Sequence, residues 1–163
     1  MHLEIERKFL LKAMPEREPD EIVQIEQWYV KNKKGIWERA RTWNSNVSGQ
    51  NWIHTIKKSV SKGVNIEDEK ALTKDEFLKF TKNCLEPKSE SRYITKERYI
   101  YKDGDLKWEI DKFDNGYHLI IAEIEIPKKN FKVQIPEYIK QVLLIEVTGM
   151  KQFNNRNLSI KIK

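Results

Sequence analysis

Charged residues recur two positions apart in one predicted β-strand after another, and this pattern limits the folds that the chain can adopt. In residues 3–11, which read Leu-Glu-Ile-Glu-Arg-Lys-Phe-Leu-Leu, Glu4, Glu6 and Lys8 alternate with mostly apolar residues. Because successive side chains of a strand point to opposite faces, these three charges share one face. Taken alone, such a row is best interpreted as a solvated strand face with cross-strand ion pairs.

The same spacing returns along most of the chain. Lys57 lies on a predicted strand, and the further charged pairs are Arg39 and Arg41, Glu67 and Glu69, Lys96 and Arg98, Glu109 and Asp111, and Glu123 and Glu125. The opposite faces of these strands carry much of the apolar residue set. If those faces pack under helices, the charged faces point inward. The recurrence therefore favours a charged interior over solvated strand faces.

Turn signals separate about eight strands, which are joined largely by hairpins. The predicted strands are 3–11, 22–31, 36–43, 51–59, 63–70, 93–101, 106–113 and 117–127. Thr73 and Glu76 form a capping box that begins a helix, and a second helix is predicted over 136–145. Residues 158–163 are predicted to form a strand or a short helix. The predicted fold class is α+β, mainly β: an eight-stranded antiparallel barrel, or a strongly curved sheet, with a few helices packed outside.

Composition supports one folded domain over residues 1–163. Charged residues make up 34% of the chain, but five Trp, six Tyr and six Phe supply enough bulk for a core. The net charge of +6 favours an anionic ligand, and the interleaving of acids and bases argues against nucleic acid. A single cysteine, Cys84, and the lack of a long apolar run predict a cytoplasmic protein with no membrane partner.

A charged lumen needs water and counter-charges, because an unpaired buried charge is costly. A polyphosphate with divalent metal ions meets this need. Arginine and lysine bind phosphate oxygens, and carboxylates bind hard Mg²⁺ or Mn²⁺. The charged rows therefore predict a site that holds phosphate and metal together.

The motifs resemble those of the CYTH, or triphosphate tunnel metalloenzyme, superfamily in order and over nearly the whole chain. The opening Glu4-Ile5-Glu6-Arg7-Lys8 resembles the family's ExExK motif. The later matches are Gln27-Trp28-Tyr29, Arg39-Ala40-Arg41, Thr55-Ile56-Lys57, Glu67-Asp68-Glu69, Lys96-Glu97-Arg98-Tyr99, Trp108-Glu109-Ile110-Asp111, Glu123-Ile124-Glu125 and the closing motif, which consists of Glu146-Val147-Thr148 with Asn155 and Leu158. ExExK is weakly specific, whereas the ordered series is strong. The compact domain resembles the small bacterial members.

The resemblance implies an eight-stranded tunnel that binds triphosphate at its centre. It implies that Mg²⁺ or Mn²⁺ is held by Glu4, Glu6, Glu123 and Glu125, with Glu67, Glu69 and Asp111 around a second ion. It implies phosphate binding by Lys8, Arg39, Arg41, Lys57, Lys96, Arg98 and Lys151. Lys8 and Tyr29 would lie near the scissile end, as catalytic residues, and a metal-bound water would attack a terminal phosphorus.

The chain departs from the family pattern at three positions. Asn65 replaces an arginine before the middle Glu-x-Glu, and Met150 and Gln152 replace an acid and an arginine of the closing motif. The expected function is hydrolysis of inorganic triphosphate or a small organic triphosphate. The alternatives are a class IV-type adenylate cyclase, a thiamine triphosphatase and a non-catalytic polyphosphate-binding module. The expected partner is the small triphosphate, and the oligomeric state, a homodimer included, stays open.

Overall fold

The computed structural model describes residues 1–114, 116 and 118–162. The strands are β1 (His2–Leu11), β2 (Glu21–Lys31), β3 (Trp37–Ser45), β4 (Gly49–Ser61), β5 (Val64–Leu72), β6 (Ser91–Asp103), β7 (Leu106–Phe113), β8 (Ile120–Glu125), β9 (Leu143–Glu146) and β10 (Ile160–Lys161). The helices are α1 (Lys74–Cys84), α2 (Glu137–Lys140) and α3 (Asn155–Leu158), with one 3-10 turn at Lys151–Phe153. The predicted starting residue of the eighth strand, Tyr117, and the predicted turn residue Asn115 lie outside the described residues, as does Lys163.

Eight of these strands close into an antiparallel barrel. The order around the barrel is β6-β2-β3-β4-β5-β1-β8-β7, and β7 pairs again with β6. This closure confirms the predicted eight-stranded barrel. β9 and β10 extend the sheet by pairing with β1 and β6.

The prediction of one helix over 136–145 is wrong beyond its first turn. Helix α2 ends at Lys140, and Leu143–Glu146 forms β9. Strand β5 pairs only with the first half of β1, which leaves the second half free on that side. Phe9 and Leu10 pair there with Glu146 and Ile145, so tertiary pairing overrides the local helical pattern. The predicted alternatives for 158–163 both occur, because α3 ends at Leu158 and β10 follows.

Helix α1 covers the outside of the barrel wall. The predicted capping box is present: Glu76 N–H donates to Thr73 Oγ1 at 3.1 Å, and Thr73 N–H donates to Glu76 Oε1 at 3.0 Å. Phe77 and Cys84 are the buried residues of α1. Burial raises the pKa of the Cys84 thiol to about 12, so the thiol packs against the barrel in its neutral form.

The main hydrophobic core lies outside the barrel, between its wall and the segment that contains α2. Trp108, Phe9 and Ile124 point outward from their strands and pack in one cluster with Ile139 and Val142. Burial of this face outside directs the alternating charged face inward, as the sequence predicted. A smaller apolar cluster includes Tyr29 and Phe113, which are inward-facing residues of β2 and β7.

The turn at Gly63 fixes the position of Glu6. Glu6 N–H donates to Gly63 O at 2.8 Å. Gly63 has φ +72°, and a Cβ there would lie 2.7 Å from the Glu6 carbonyl oxygen and 2.9 Å from Thr148 Cγ2. Only glycine allows this approach, which brings β1, the β4–β5 turn and the chain after β9 together.

Candidate active site

A cavity of about 600 Å³ opens between the β4–β5 turn and the segment 148–157. It brings together seven of the residues predicted from the sequence. Those residues are Glu6, Lys8, Tyr29, Arg39, Lys57, Glu123 and Lys151. Cations and carboxylates from five elements therefore face the same cavity, together with Tyr29 from a sixth.

Lys8 and Arg39 supply positive charge to one part of the cavity. Lys8 Nζ lies 3.4 Å from Glu123 Oε1 and donates to Phe153 O at 3.3 Å. Arg39 Nη2 donates to Thr55 Oγ1 at 3.1 Å. Within the described part of the chain, the buried Arg39 Nε has no hydrogen-bond partner. The Arg39 guanidinium therefore keeps donors available for an anion.

Tyr29 is held by a neighbour on its own strand. Gln27 Nε2 donates to the Tyr29 hydroxyl oxygen at 3.0 Å, and both side chains are buried. The hydrogen bond fixes the phenol at the wall of the cavity.

The carboxylates of β1 and β5 are only partly neutralised. Lys57 Nζ lies 2.7 Å from Glu4 Oε1 and 3.6 Å from Glu6 Oε1. Burial and the charge of Glu123 raise the pKa of Glu6 to about 8. Burial and the hydrogen bond with Glu4 raise the pKa of Glu67 to about 7. This wall therefore carries more carboxylates than its own lysine can balance.

Glu123 lies in a different electrostatic environment from Glu6. Burial alone would raise its pKa, but the ammonium of Lys8 and the guanidinium of Arg98 outweigh burial and hold the pKa well below its usual range. Glu123 is therefore ionised at neutral pH, whereas Glu6 holds its proton more tightly.

Asp111, Lys96 and Arg98 form a buried ion network behind the cavity. Arg98 donates to Asp111 through Nε at 2.7 Å and through Nη2 at 2.9 Å. Lys96 Nζ donates to Asp111 Oδ2 at 2.7 Å and to Asn155 Oδ1 at 3.0 Å. Burial lowers the pKa of Lys96 to about 7. The network links β6 and β7 to α3 without lining the cavity.

The other predicted site residues lie around the cavity rather than in its lining. Arg41 Nη2 lies 3.5 Å from Glu69 Oε2, and burial and the charge of Arg39 lower the pKa of Arg41 to about 10. Glu125 accepts a hydrogen bond from His2 Nε2 at 2.7 Å and is exposed. Glu4 and Glu67 lie on the carboxylate wall described above.

Sequence reasoning missed several lining residues. Lys62, Trp37 and Arg156 line the same cavity. Lys62 lies in a turn and Arg156 in a four-residue helix, so neither lies in the strand alternation that pointed to the other sites. The available signal for Arg156 was its place beside Asn155 in the closing motif.

Carboxylate oxygens are the ligands that a hard divalent cation prefers, and on the wall formed by β1 and β5 the carboxylates Glu4, Glu6 and Glu67 outnumber their one lysine, Lys57. Among residues 1–114, 116 and 118–162, no three His, Cys, Asp or Glu side chains already converge as a metal cage. Lys57 instead bridges Glu4 and Glu6.

We expect the stability of the metal-free protein to fall as pH rises from 5 to 7. The pKa values of Glu6 and Glu67, about 8 and about 7, exceed the ordinary value for an unfolded glutamate. The folded protein therefore binds more protons than the unfolded chain in this window, and its stability falls with pH. His2, whose pKa is raised by its hydrogen bond to Glu125, acts in the same direction. Lys96, whose pKa is lowered to about 7, acts in the opposite direction at the upper end of this window, and the two glutamates outweigh it.

The expected fall is about 1–2 kcal/mol, discounted for the exposure of Glu67. Urea unfolding in EDTA at pH 5, 6 and 7 measures this fall. The free energy of unfolding of Glu6→Gln should depend less steeply on pH than that of the wild type. A stability that is flat or rises over this range would contradict the carboxylate excess.

Comparison with known proteins finds similarity to inorganic triphosphatases. No protein-family model matches the chain. A curated inorganic triphosphatase from Acetivibrio thermocellus is 29% identical over 160 residues, which cover 97% of this chain and 94% of that protein. The crystal structure of an inorganic triphosphatase matches with a TM-score of 0.60 and 24% identity, and the match covers 95% of this chain and 96% of that one.

A second solved structure has the same fold at lower identity. It is an adenylyl cyclase candidate from Hippeastrum with a dominant triphosphatase activity; the TM-score is 0.51, the identity 15%, and the match covers 77% of this chain and 80% of that one. In the described residues, no helix is long and apolar enough to cross a membrane. The closed barrel, the inward motifs in their predicted order and these relatives are consistent with the resemblance to the CYTH, or triphosphate tunnel metalloenzyme, superfamily.

Proposed function

We propose that the protein is a metal-dependent triphosphatase that hydrolyses inorganic triphosphate, or a small organic triphosphate, inside the barrel. One observation carries the proposal: a single cavity joins the cations Lys8, Arg39 and Lys57 to the carboxylates Glu6 and Glu123. The relative from Acetivibrio thermocellus, named an inorganic triphosphatase, supports it. The lone buried Cys84 fits a reducing, cytoplasmic location.

The cations bind and orient the phosphate chain. Arg39 presents a fork of donors, and Lys8 and Lys57 act as point charges that exchange their carboxylate partners for phosphate oxygens. Lys151 adds a charge at the rim of the cavity. Arg41, Lys96 and Arg98 stand behind these residues and contribute to the positive potential.

The carboxylates hold Mg²⁺ or Mn²⁺. Glu4, Glu6, Glu123 and Glu125 are proposed as its main ligands, with Glu67, Glu69 and Asp111 around a second ion. When bound, the ion neutralises phosphate charge and lowers the pKa of water. Two observations favour this assignment: Glu6 and Glu123 line one cavity, and Glu4 and Glu6 share a single lysine, Lys57, as counter-charge.

The reaction is an in-line displacement at a terminal phosphorus. A new bond forms between the water oxygen and phosphorus, the anhydride bond breaks, and inorganic triphosphate yields orthophosphate and pyrophosphate. One proton of the water stays on the orthophosphate, and the other passes to the pyrophosphate that leaves. Lys8 and Arg39 stabilise the charge that develops on the phosphate oxygens, and Tyr29 orients the scissile end.

A phosphate-release panel tests the proposal. The purified protein is incubated with inorganic triphosphate, ATP or thiamine triphosphate, with Mg²⁺, with Mn²⁺ or in EDTA. We expect orthophosphate and pyrophosphate from inorganic triphosphate with metal and none in EDTA. Tight binding without release would indicate a non-catalytic module, and formation of cyclic AMP from ATP would indicate a cyclase.

A further inference from the structure

Arg156 is fixed beside the cavity by contacts on both sides of α3. Its carbonyl oxygen accepts from Arg92 Nε at 2.9 Å and from the Ser159 hydroxyl. The preceding residue, Asn155, accepts from Lys96 Nζ at 3.0 Å. The backbone of Arg156 is thereby tied to β6, a wall strand of the barrel.

The side chain of Arg156 is oriented by an aromatic ring. Its guanidinium carbon lies 5.3 Å from the centroid of the Trp37 ring, and both residues line the cavity. Trp37 and Arg39 share the inward face of β3. A cation–π contact of this kind holds the guanidinium plane while leaving its edge donors free.

Arg156 lines the cavity without an ion-pair partner in the described residues, as do Arg39, Lys62 and Lys151, whereas Lys8 and Lys57 are paired. Lys8 has Glu123 within 3.4 Å, and Lys57 has Glu4 within 2.7 Å. No acidic side chain forms an ion pair with Arg156 in the described residues. A half-buried guanidinium with five donors and no anion is suited to a bound anion.

The position also bears on the altered closing motif. Met150 lines the cavity where the family pattern has an acid, and the neutral Gln152 replaces an arginine. Arg156, four residues after Gln152, returns a guanidinium to this side of the cavity.

We infer that Arg156, seated on Trp37, is a substrate-binding residue that recognises the second unesterified end of inorganic triphosphate, the end that is esterified in a nucleoside triphosphate, and so favours inorganic triphosphate over nucleoside triphosphates. This inference rests on the proposed function, because it takes a triphosphate as the ligand of the same cavity. The discrimination follows from charge. An unesterified phosphate carries more negative charge than the esterified α-phosphate of a nucleotide, so its contact with a guanidinium is stronger.

The test compares Arg156→Gln and Arg156→Lys with Arg17→Gln. Arg17 is a matched control, because its guanidinium also stacks on an aromatic ring, 4.8 Å from the centroid of Tyr138, but lies on the outer side of the barrel. Calorimetry in EDTA gives the Kd for inorganic triphosphate without turnover. Steady-state kinetics with metal give kcat and KM for inorganic triphosphate and for ATP, and thermal unfolding checks that each variant is folded.

We expect Arg156→Gln to raise Kd and KM for inorganic triphosphate about 10- to 100-fold, with kcat changed less than about threefold. The KM for ATP should change less than about threefold. The Kd and KM of Arg156→Lys should lie between those of the wild type and of Arg156→Gln, because lysine keeps the charge but lacks the paired donors of the guanidinium. Arg17→Gln should match the wild type.

Wild-type Kd and KM in folded Arg156→Gln would overturn the inference while the proposed function stands. An equal rise in KM for inorganic triphosphate and for ATP would overturn the inferred preference for inorganic triphosphate. If the wild-type protein releases no phosphate but Arg156→Gln still weakens triphosphate binding in EDTA, the binding role is supported and the proposed hydrolysis fails.

Discussion

Replacing Glu6 by glutamine is expected to lower kcat/KM for triphosphate by about 10²–10³-fold while leaving the protein folded and no less stable at pH 7. Glu6 lines the cavity, and its carboxylate is a proposed metal ligand. Glutamine keeps the size of the side chain and removes the negative charge. Since burial and Glu123 raise the pKa of Glu6 to about 8, the metal-free carboxyl is largely protonated at pH 7, and the neutral glutamine fits the same environment.

The informative result is that kcat/KM falls while the free energy of unfolding does not. Loss of activity with loss of stability would indicate a damaged fold, whereas loss of activity with unchanged or increased stability identifies a site that trades stability for function. Glu97→Gln is the control, because Glu97 lies on the outer face of β6, where it accepts from Gln24 Nε2 at 2.8 Å. Full turnover in Glu6→Gln would remove Glu6 from the proposed metal ligands.

The strand alternation made the barrel predictable. In β1 the outward Phe9 is fully buried in the outer core, and the inward Lys8 faces the cavity, as the period of two requires. The predicted bounds of β7, 106–113, agree with the observed Leu106–Phe113 because turn residues mark both ends.

The arrangement of charges inside the barrel was not predictable in the same way. Alternation gives the face on which a side chain lies but not the partner that it meets. Asp111 was grouped with the metal ligands, yet its nearest neighbours are Lys96 and Arg98, because the register of β6 with β7 places Arg98 opposite Asp111. Register is a tertiary property, set by turns and packing across the whole barrel.

The closing segment was the hardest part to predict. The β9 strand and α3 are each four residues long, and the sequence pattern of such short elements is too weak to fix their type. Arg156 therefore lay outside the predicted site although its side chain lines the cavity.

Asp111→Asn is expected to lower the free energy of unfolding by about 3–5 kcal/mol, because it leaves buried cations without their main counter-charge. Asp111 is 1% exposed and accepts from both Arg98 and Lys96. Urea unfolding in EDTA at pH 7 measures the loss without any contribution from bound metal. Asp105→Asn, in the exposed β6–β7 turn, is the control and should change stability by no more than about 0.5 kcal/mol.

A second substitution separates the ion network from simple loss of packing. Lys96→Met in the Asp111→Asn background removes one stranded cation, and Arg98 keeps Glu109, whose Oε2 accepts from Nη1 at 2.9 Å. We therefore expect the double variant to recover stability relative to Asp111→Asn alone. A double variant that is less stable than Asp111→Asn would show that Asp111 acts through packing. Recovery would show that Asp111 stabilises the barrel as a counter-charge, so any activity lost by the single variant must be measured against its stability before Asp111 is counted as a metal ligand.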